Sequence, residues 1–212
     1  MNRLTILPAG EHALLVDLES EAEVLAFIHA LTRNTPAGVE DFLPAARTVL
    51  VTCTPTADLT HVRHDLNELA HTMSDAVTDN GSDEAPFVIE VRYDGPDLDD
   101  VAKTLKMSRA EVISAHTSAV WRCAFIGFAP GFAYLTSSDT RFDIPRRPQS
   151  RTAVPAGSVA LAGGYSAVYP RASPGGWQII GSTDAVMWDL NSAPPAAVQP
   201  GRRVRFVNKE ER

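Results

Sequence analysis

The sequence predicts an α+β protein of two domains, and three observations lead to that prediction. Strand-like runs followed by an amphipathic helix occur twice in the first third of the chain, which is typical of a small split βαβ sandwich. A polar, acidic stretch, TDNGSDEAP (78–86), then interrupts the pattern and is the candidate linker. From residue 121 onward, short β-rich runs alternate with Pro and Gly turns, which indicates an all-β barrel or sandwich. We therefore expect domains at residues 1–82 and 86–212.

The elements of the first domain follow from hydrophobic periodicity. LTILPAGEHALLVDL predicts two short strands around a Pro-Ala-Gly turn. SEAEVLAFIHALTR predicts a helix in which Ser20 is the N-cap and Glu23 stands at the capping-box position. TVLVTC (48–53) predicts a strand. ADLTHVRHDLNELAHTM predicts a second helix, whose apolar stripe is Leu59, Val62, Leu66, Leu69 and Met73.

In the second domain, FVIEVRY predicts a strand and DGPD a turn. DLDDVAKTL and SRAEVISAHTSAV predict two short helices, the latter capped by Ser108 with Glu111 three residues on. The remaining β-rich runs are AVPAGSVALAG, YSAVYP, GWQIIGST, AVMWDL and RRVRFV.

Composition excludes several classes of protein. Apolar residues make up 44% of the 212 positions, enough for a buried core, and no apolar run reaches the ~18 residues that span a bilayer. The N-terminal stretch lacks the features of a secretory signal, and Cys53 and Cys123 lie too far apart in sequence to indicate a disulfide framework. We therefore expect a cytoplasmic protein.

Charge is distributed unevenly along the chain. The net charge of −7 argues against nucleic acid as a partner. Residues 1–100 contain 5 Lys/Arg against 19 Asp/Glu, whereas residues 121–181 contain 6 Arg against 2 Asp and hold 8 of the 13 glycines. This basic region is either a solvated loop surface or a site for a small anion.

Standard catalytic motifs are absent: the sequence has no Walker A loop, GxSxG elbow, HExxH or CxxC. His61, His64 and His71 share the second predicted helix, where histidines on a polar face are ordinarily solvated, so we expect no metal site. His116 ends a predicted helix just before the Gly-rich region. It is either a general base or a hydrogen-bonded structural residue.

Two segments combine arginine, glycine and aromatic residues, IPRRPQSRTAVPAGSVALAGG (144–164) and YPRASPGGWQIIGST (169–183). Guanidinium groups suit bidentate pairing with carboxylate or phosphate, and glycine lets backbone N–H groups approach an anion closely. The aromatics of these segments and of FIGFAPGFAYL (125–135) would form an apolar wall. Equally, the glycines are barrel turns and the aromatics are core, and both interpretations hold together at the mouth of a barrel.

Taken in order, FIGFAPGFAYL, VPAGSVALAGG and YPRASPGGWQIIGST resemble the kinase-inhibitor/allophanate-hydrolase subunit 1 family, which includes the B-type component of bacterial 5-oxoprolinase. The resemblance extends through YDGPDLDDVA (93–102), His116 and PGRRVRFV (200–207), and so covers residues 86–212. The N-terminal half is similar more loosely, through GEHALLVDL (10–18).

The resemblance implies an N-terminal ferredoxin-like α/β sandwich and a C-terminal cyclophilin-like β-barrel. It implies ATP-dependent opening of the 5-oxoproline lactam to glutamate, or hydrolysis of allophanate, with ATP and Mg²⁺ bound at the complex or by this chain. It also implies two companion proteins, namely allophanate-hydrolase subunit 2 (the C-type component of 5-oxoprolinase) and a third, A-type component. One branch of the family inhibits a sporulation histidine kinase, so an interaction module is the alternative function.

In this interpretation His116 transfers protons, and Arg146 and Arg151 stabilise negative charge that develops on the activated amide. The positions expected to bind substrate are the aromatic and small residues of the three motifs: Phe128, Gly131, Phe132, Gly157, Ser158, Gly163, Gly164, Ser173, Gly175, Gly176 and Trp177.

Overall fold

A computed structural model of the chain describes residues 4–71, 73 and 85–211. The chain divides into two compact units, Met1–Asn80 and Gly81–Arg212, and each unit has its own hydrophobic core. Most of the predicted linker, residues 78–84, lies outside the described residues. None of the helices in the described part has the length and apolar character that crossing a membrane requires.

The first unit packs two helices on one face of a four-stranded antiparallel sheet in its described part, with strand order β1-β2-β4-β3. Its elements are β1 (Thr5–Pro8), β2 (Ala13–Asp17), α1 (Glu21–Arg33), β3 (Val39–Pro44), β4 (Thr48–Cys53) and α2 (Leu59–His71). All of these except β3 match the sequence prediction.

The chain order β2-α1-β3-β4-α2 is the helix-crossed core of a split βαβ unit. Within the described residues no strand follows α2 in this sheet. The edge beside β2 is instead taken by β1, in a register that runs from Thr5↔Asp17 to Pro8↔Leu14. The α+β class is confirmed, while the ferredoxin-like assignment stays a prediction.

The predicted cap of α1 is present in the structure. The Ser20 hydroxyl accepts from the Glu23 amide (3.2 Å), and the Glu23 carboxylate accepts from the Glu19 amide (2.9 Å). The buried residues of the two helices follow helical spacing: Val24, Phe27 and Leu31 in α1, and Val62, Leu66 and Leu69 in α2.

The second unit begins with a strand and two helices and is otherwise mostly β. Its elements are β5 (Phe87–Val91), α3 (Leu98–Leu105), α4 (Arg109–Ser118), β6 (Trp121–Ile126), β7 (Ala133–Thr136), the 3₁₀ turn Thr140–Phe142, β8 (Arg151–Val154), β9 (Ser158–Ala162), β10 (Tyr165–Val168), β11 (Ser173–Gly175), β12 (Gln178–Ser182), β13 (Arg203–Asn208) and the 3₁₀ turn Lys209–Glu211.

Seven strands of this unit form a nearly closed barrel-like sheet in the order β12-β9-β10-β7-β6-β13-β5, and β8 pairs separately with β11. The two end strands meet at one bridge, where Arg92 and Ser182 exchange two backbone hydrogen bonds of 2.8 Å. Beyond this bridge the Gly95 amide donates to the Ile180 carbonyl at 3.2 Å. A Cβ at Gly95 would lie 2.2 Å from the Ile180 carbonyl carbon, so only glycine allows the backbones to approach this closely.

The barrel wall separates two clusters, because successive side chains of a strand point to opposite faces. All seven strands contribute to the interior cluster, which also contains residues of α3 and α4. In β9, Val159 and Leu161 belong to this interior cluster, whereas Ala160 and Ala162 belong to a second cluster on the outer face. A residue's place along a strand therefore decides which side of the wall it occupies.

Other elements of the second unit confirm one prediction and correct another. Ser108 and Glu111 form a complete capping box at the start of α4. The run AVMWDL (185–190), predicted as a strand, contributes only one isolated bridge, Trp188↔Ala196. Its neighbours Val186 and Leu190 are 68% and 78% exposed, so the alternation of this run is not accompanied by burial of one face.

Candidate anion-binding site

An aromatic cluster lies on the outer face of the barrel-like sheet. Its buried members are Ala129, Phe132, Val154, Ala160, Ala162, Ala167, Tyr169, Trp177 and Ile179, with Tyr134 and Tyr165 packed against them. The Phe132 ring centroid lies 5.1 to 5.5 Å from those of Tyr134, Tyr169 and Trp177, in tilted or edge-to-face orientations. Such contacts fix ring positions, so this face of the sheet is rigid and apolar.

A buried carboxylate joins two arginines at the border of the aromatic cluster. The Asp97 side chain is 2% exposed, and its Oδ1 accepts from both Arg147 Nη1 and Arg151 Nη2, the latter at 2.8 Å. Its Oδ2 accepts from the amide of Ile179, a member of the cluster, at 2.7 Å. Two guanidinium charges against one carboxylate leave this group, hereafter the arginine pair, net positive.

The Asp97 carboxyl is ionised at neutral pH. Burial by itself would raise its pKa. The hydrogen bonds from Arg151 and the Ile179 amide, together with the charges of Arg151 and Arg147, outweigh burial and hold the pKa below its ordinary value of 3.8. The negative charge is therefore stable in the absence of any ligand.

Backbone contacts bring the parts of the arginine pair together. The Arg147 amide donates to the Gly176 carbonyl at 2.7 Å, and Arg151 begins β8. Asp97 stands at the N-cap position of α3, yet its side chain makes no capping hydrogen bond and reaches the arginines instead. The sequence did not reveal this role, since an Asp before a helix is ordinarily a cap.

Two nitrogen atoms of the arginine pair are buried without an acceptor. Arg147 Nε and Arg151 Nη1 have no hydrogen-bond partner among the described residues, although guanidinium N–H groups are strong donors. The two side chains remain 32% and 24% exposed, so a small molecule can reach them from solvent.

Arg146 lies close to the aromatic cluster but outside the arginine pair. It is exposed, and within the described part of the chain it has neither a hydrogen bond nor an ion pair. Burial raises the pKa of both Tyr134 and Tyr169 above the ordinary value of 10, and the nearby charge of Arg146 opposes that rise. Neither tyrosine was among the predicted site residues, although both lie in the quoted motifs.

The predicted glycines 175 and 176 serve close packing. A Cβ at Gly175 would lie 2.3 Å from the Tyr169 hydroxyl oxygen, and one at Gly176 would lie 2.9 Å from the Ser150 hydroxyl oxygen. These glycines therefore let the chain pass between the aromatic cluster and the loop that carries Arg147.

The other small residues predicted to bind substrate lie in several places. Gly131 has φ +77 and packs against Met187 and Trp188. Gly157 and Ser158 lead into β9, and Gly157 donates to the Tyr169 carbonyl. The remaining three are Gly163 and Gly164 in the β9–β10 turn, both with positive φ, and Ser173, which begins β11.

The predicted aromatics differ in exposure. Phe132 and Trp177 are 1% and 4% exposed and belong to the aromatic cluster, so they support the site rather than contact a ligand broadly. Phe128 is 62% exposed and has φ +65, a left-handed conformation that costs a bulky residue about 1–2 kcal/mol. Its ring lies 5.2 Å from Phe132 at the rim of the cluster.

His116 lies inside the barrel. It is fully buried; its Nδ1 lies 2.8 Å from the Tyr93 hydroxyl and its Nε2 lies 3.0 Å from the Ser166 hydroxyl. Its backbone carbonyl accepts from Trp121 Nε1 at 3.0 Å. Burial lowers the pKa of this imidazole from 6.5 to about 3, so it is neutral at physiological pH.

The barrel wall separates His116 from the arginines. Ser166, its partner on β10, has as its chain neighbour Ala167, which faces the outer aromatic cluster. The structure thus corrects the expectation that His116 and the arginines face one site. Proton transfer by His116 stays a prediction, and its contacts favour a structural role. The α2 histidines 61, 64 and 71 are all exposed.

Comparison with known proteins identifies the family. The family model described as "Carboxyltransferase domain, subdomain C and D" matches residues 4–198. The chain therefore belongs to this family.

Three curated relatives are similar to the chain, and each is named as the B-type component of 5-oxoprolinase. The protein of Bacillus subtilis (strain 168) is 42% identical over 118 residues, which is 56% of this chain and 49% of the relative. That of Escherichia coli O157:H7 is 44% identical over 117 residues, 55% and 54% of the two chains, and that of Haemophilus influenzae is 42% identical over 113 residues, 53% of each. The matched segment covers about half the length of each relative. These names confirm the family resemblance seen in the motifs.

Solved structures share the fold. TTHA0988 is 31% identical with a TM-score of 0.75, over 93% of this chain and 39% of its own. PH0987 from Pyrococcus horikoshii is 33% identical with a TM-score of 0.56, over 98% and 99%. The K. lactis urea amidolyase is 19% identical with a TM-score of 0.75, over 99% and 15%, and shows the fold alone.

Substituting Gly175→Ala should destabilise the second unit by about 1–3 kcal/mol, because the new methyl group would collide with the Tyr169 hydroxyl. The measurement is urea denaturation. Gly127→Ala is the matched control, since its Cβ would be 3.6 Å from Tyr134, an ordinary contact. Equal stability of the two variants would contradict the packing role of Gly175.

His116 should make the stability of the protein depend on pH. Because burial lowers its pKa to about 3, its contribution to the free energy of unfolding is complete above pH 6.5 and decreases as the pH falls toward 3. Gln at this position keeps the two hydrogen-bond partners but does not titrate. The stability difference between wild type and His116→Gln should shrink by about 2 kcal/mol between pH 7 and pH 5.

Denaturant unfolding at several pH values measures that difference, with His64→Gln, an exposed α2 histidine, as the control. A difference that stays constant over this interval would show that His116 is not held neutral by burial.

Proposed function

We propose that this chain is a subunit of an ATP-dependent amidohydrolase that opens 5-oxoproline to glutamate. The observation that carries the proposal is its 42 to 44% identity to three proteins named as the B-type component of 5-oxoprolinase. The hydrolysis of allophanate is the second reaction in the same class. A cytoplasmic location, where ATP is supplied, is part of the proposal.

The arginine pair supplies the recognition that such a substrate needs. 5-Oxoproline carries one carboxylate beside a neutral lactam, and a guanidinium fork suits a carboxylate. The rigid aromatic cluster beside the pair provides an apolar boundary for the ring. Arg151, predicted as catalytic, belongs to the pair, whereas Arg146 adds a positive charge nearby without a fixed position.

The described residues fit one anionic group better than a whole nucleotide with its metal. Mg²⁺ requires several oxygen ligands, and no group of three or more His, Cys, Asp or Glu in the described ranges could hold a metal ion. We therefore place ATP and Mg²⁺ at the complex with the two companion proteins, the C-type and A-type components. In that complex ATP would activate the lactam, and this chain would hold and orient the substrate.

Reconstitution tests the proposal. The chain is produced together with both companion proteins, and glutamate release from 5-oxoproline is measured with and without ATP, with allophanate in parallel. ATP-dependent glutamate release that requires all three proteins is the expected result. Full turnover by the isolated chain, or none by the complete complex, would overturn the proposal.

Arg151→Ala should lower glutamate release by the complex by about 100-fold or more, as expected for removal of a charge-stabilising donor. The fold should persist, because Asp97 keeps its bonds to Arg147 and the Ile179 amide. Arg171→Ala, an exposed arginine of the same basic region, is the matched control. Wild-type activity of Arg151→Ala would remove this residue from the site.

Inhibition of a sensor histidine kinase is the alternative function from the family resemblance. It requires neither ATP nor a companion protein. None of the contacts described above favours it, and binding of the isolated chain to a kinase dimerisation domain would be its test.

A further inference from the structure

We propose that Asp97 is a positioning residue, which holds the guanidinium groups of Arg147 and Arg151 so that together they bind one carboxylate or phosphate group of a small ligand. The inference rests on the proposed function only for the identity of that ligand. The binding site itself follows from the geometry of the arginine pair.

Asp97 is fixed from three directions. Its own amide donates to the Ile179 carbonyl at 3.0 Å, and its Oδ2 accepts from the Ile179 amide at 2.7 Å, so residue 97 is clamped to β12 through both main chain and side chain. Its carboxylate is almost fully buried. A carboxylate held this way dictates where the two arginines lie.

Both arginines bind the same oxygen atom, Oδ1. Two guanidinium groups would otherwise repel each other, and sharing one carboxylate oxygen keeps them adjacent. Each arginine uses one terminal nitrogen for this purpose. Each also retains a buried nitrogen with no acceptor in the described part of the chain, Arg147 Nε and Arg151 Nη1.

A guanidinium has five N–H donors arranged as a planar fork. One nitrogen of each fork is engaged by Asp97, and another is buried without an acceptor, which is costly unless a ligand or solvent oxygen completes the bonding. The arginine side chains are partly exposed while Asp97 is not, so an incoming anion meets the arginines and never the carboxylate. The remaining net positive charge matches one monoanionic group.

The role of Asp97 can be separated from simple electrostatics because the two make opposite predictions for Asp97→Asn. That change removes a negative charge, so a charge effect alone would tighten the binding of any anion. If Asp97 acts by positioning, the forks separate and binding weakens, by about tenfold or more.

Isothermal titration of the full chain is the primary experiment. The probes are 5-oxoproline, which has a carboxylate, inorganic phosphate, and 2-pyrrolidinone, which is the same lactam ring without a carboxylate. We expect 5-oxoproline or phosphate to bind the wild type, and 2-pyrrolidinone to bind at least tenfold more weakly than 5-oxoproline if the carboxylate is the ligand.

Asp184→Asn is the matched control. Asp184 also pairs with two cations, Arg92 at 2.8 Å and Lys209 at 2.9 Å, but its side chain is 68% exposed. Its substitution removes the same charge and should leave anion affinity within about twofold of wild type.

Two further variants keep the inference open to contradiction if Asp97→Asn does not fold. Asp97→Glu restores the charge but displaces the carboxylate, and should remain weak in binding. Arg147→Lys retains the positive charge but loses the fork, and should also weaken binding. Wild-type affinity in Asp97→Glu would show that only the charge matters and would overturn the positioning role, as would tighter binding in Asp97→Asn.

Kinetics of the reconstituted complex distinguish failure of this inference from failure of the proposed function. If the complex turns over 5-oxoproline and Asp97→Asn leaves KM and kcat unchanged, the function stands and the inference fails. If phosphate binds and the binding is lost in Asp97→Asn, but 5-oxoproline neither binds nor reacts, the inference stands and the proposed substrate is wrong. A rise in KM with little change in kcat is the expected signature of a residue that positions a binding group.

Discussion

The second unit depends on one buried interaction, the clamp of Asp97 on β12. This residue lies between the bridge that closes the barrel-like sheet and the first turn of α3, and it bonds the Ile179 backbone through both its amide and its carboxylate. The same carboxylate fixes two arginines from a separate stretch of chain. A single charge thereby joins closure of the sheet, the start of a helix and the candidate site.

The wall of the barrel-like sheet divides the chemistry of the unit. Inside, a neutral His116 is enclosed by aromatic rings and bonded on both ring nitrogens, which suits a core that excludes water. Outside, the arginine pair meets a rigid aromatic surface and keeps partial access to solvent. A binding site needs that access, so the outer face is where recognition of a small anion is physically feasible. The absence of a complete catalytic set among the described residues fits a site completed by companion proteins.

The sequence predicted most elements because their signals are local. The Ser20 and Ser108 caps and the strands around FIGFAPGFAYL depend on residues within a few positions of each other, and all are observed. The edge strand β3 was missed because Glu40 and Asp41 at its bulge are solvent-exposed and interrupt the apolar alternation. Whether a strand residue faces the interior or the outer cluster was also beyond local reasoning, since both faces of β9 are buried.

For the site, the sequence revealed the residue types but not their partners. It drew attention to the basic, glycine-rich region and to Arg151, yet Asp97 lies 54 residues from Arg151 and in an acidic stretch that predicts only a turn. Nuclear magnetic resonance of the arginine Nε–H groups tests the central claim most directly. Adding 5-oxoproline or phosphate to the full chain should shift the Arg147 Nε–H signal in a saturable manner and leave that of Arg171 unchanged. A titration in which the Arg147 signal does not move would contradict an anion site at the arginine pair.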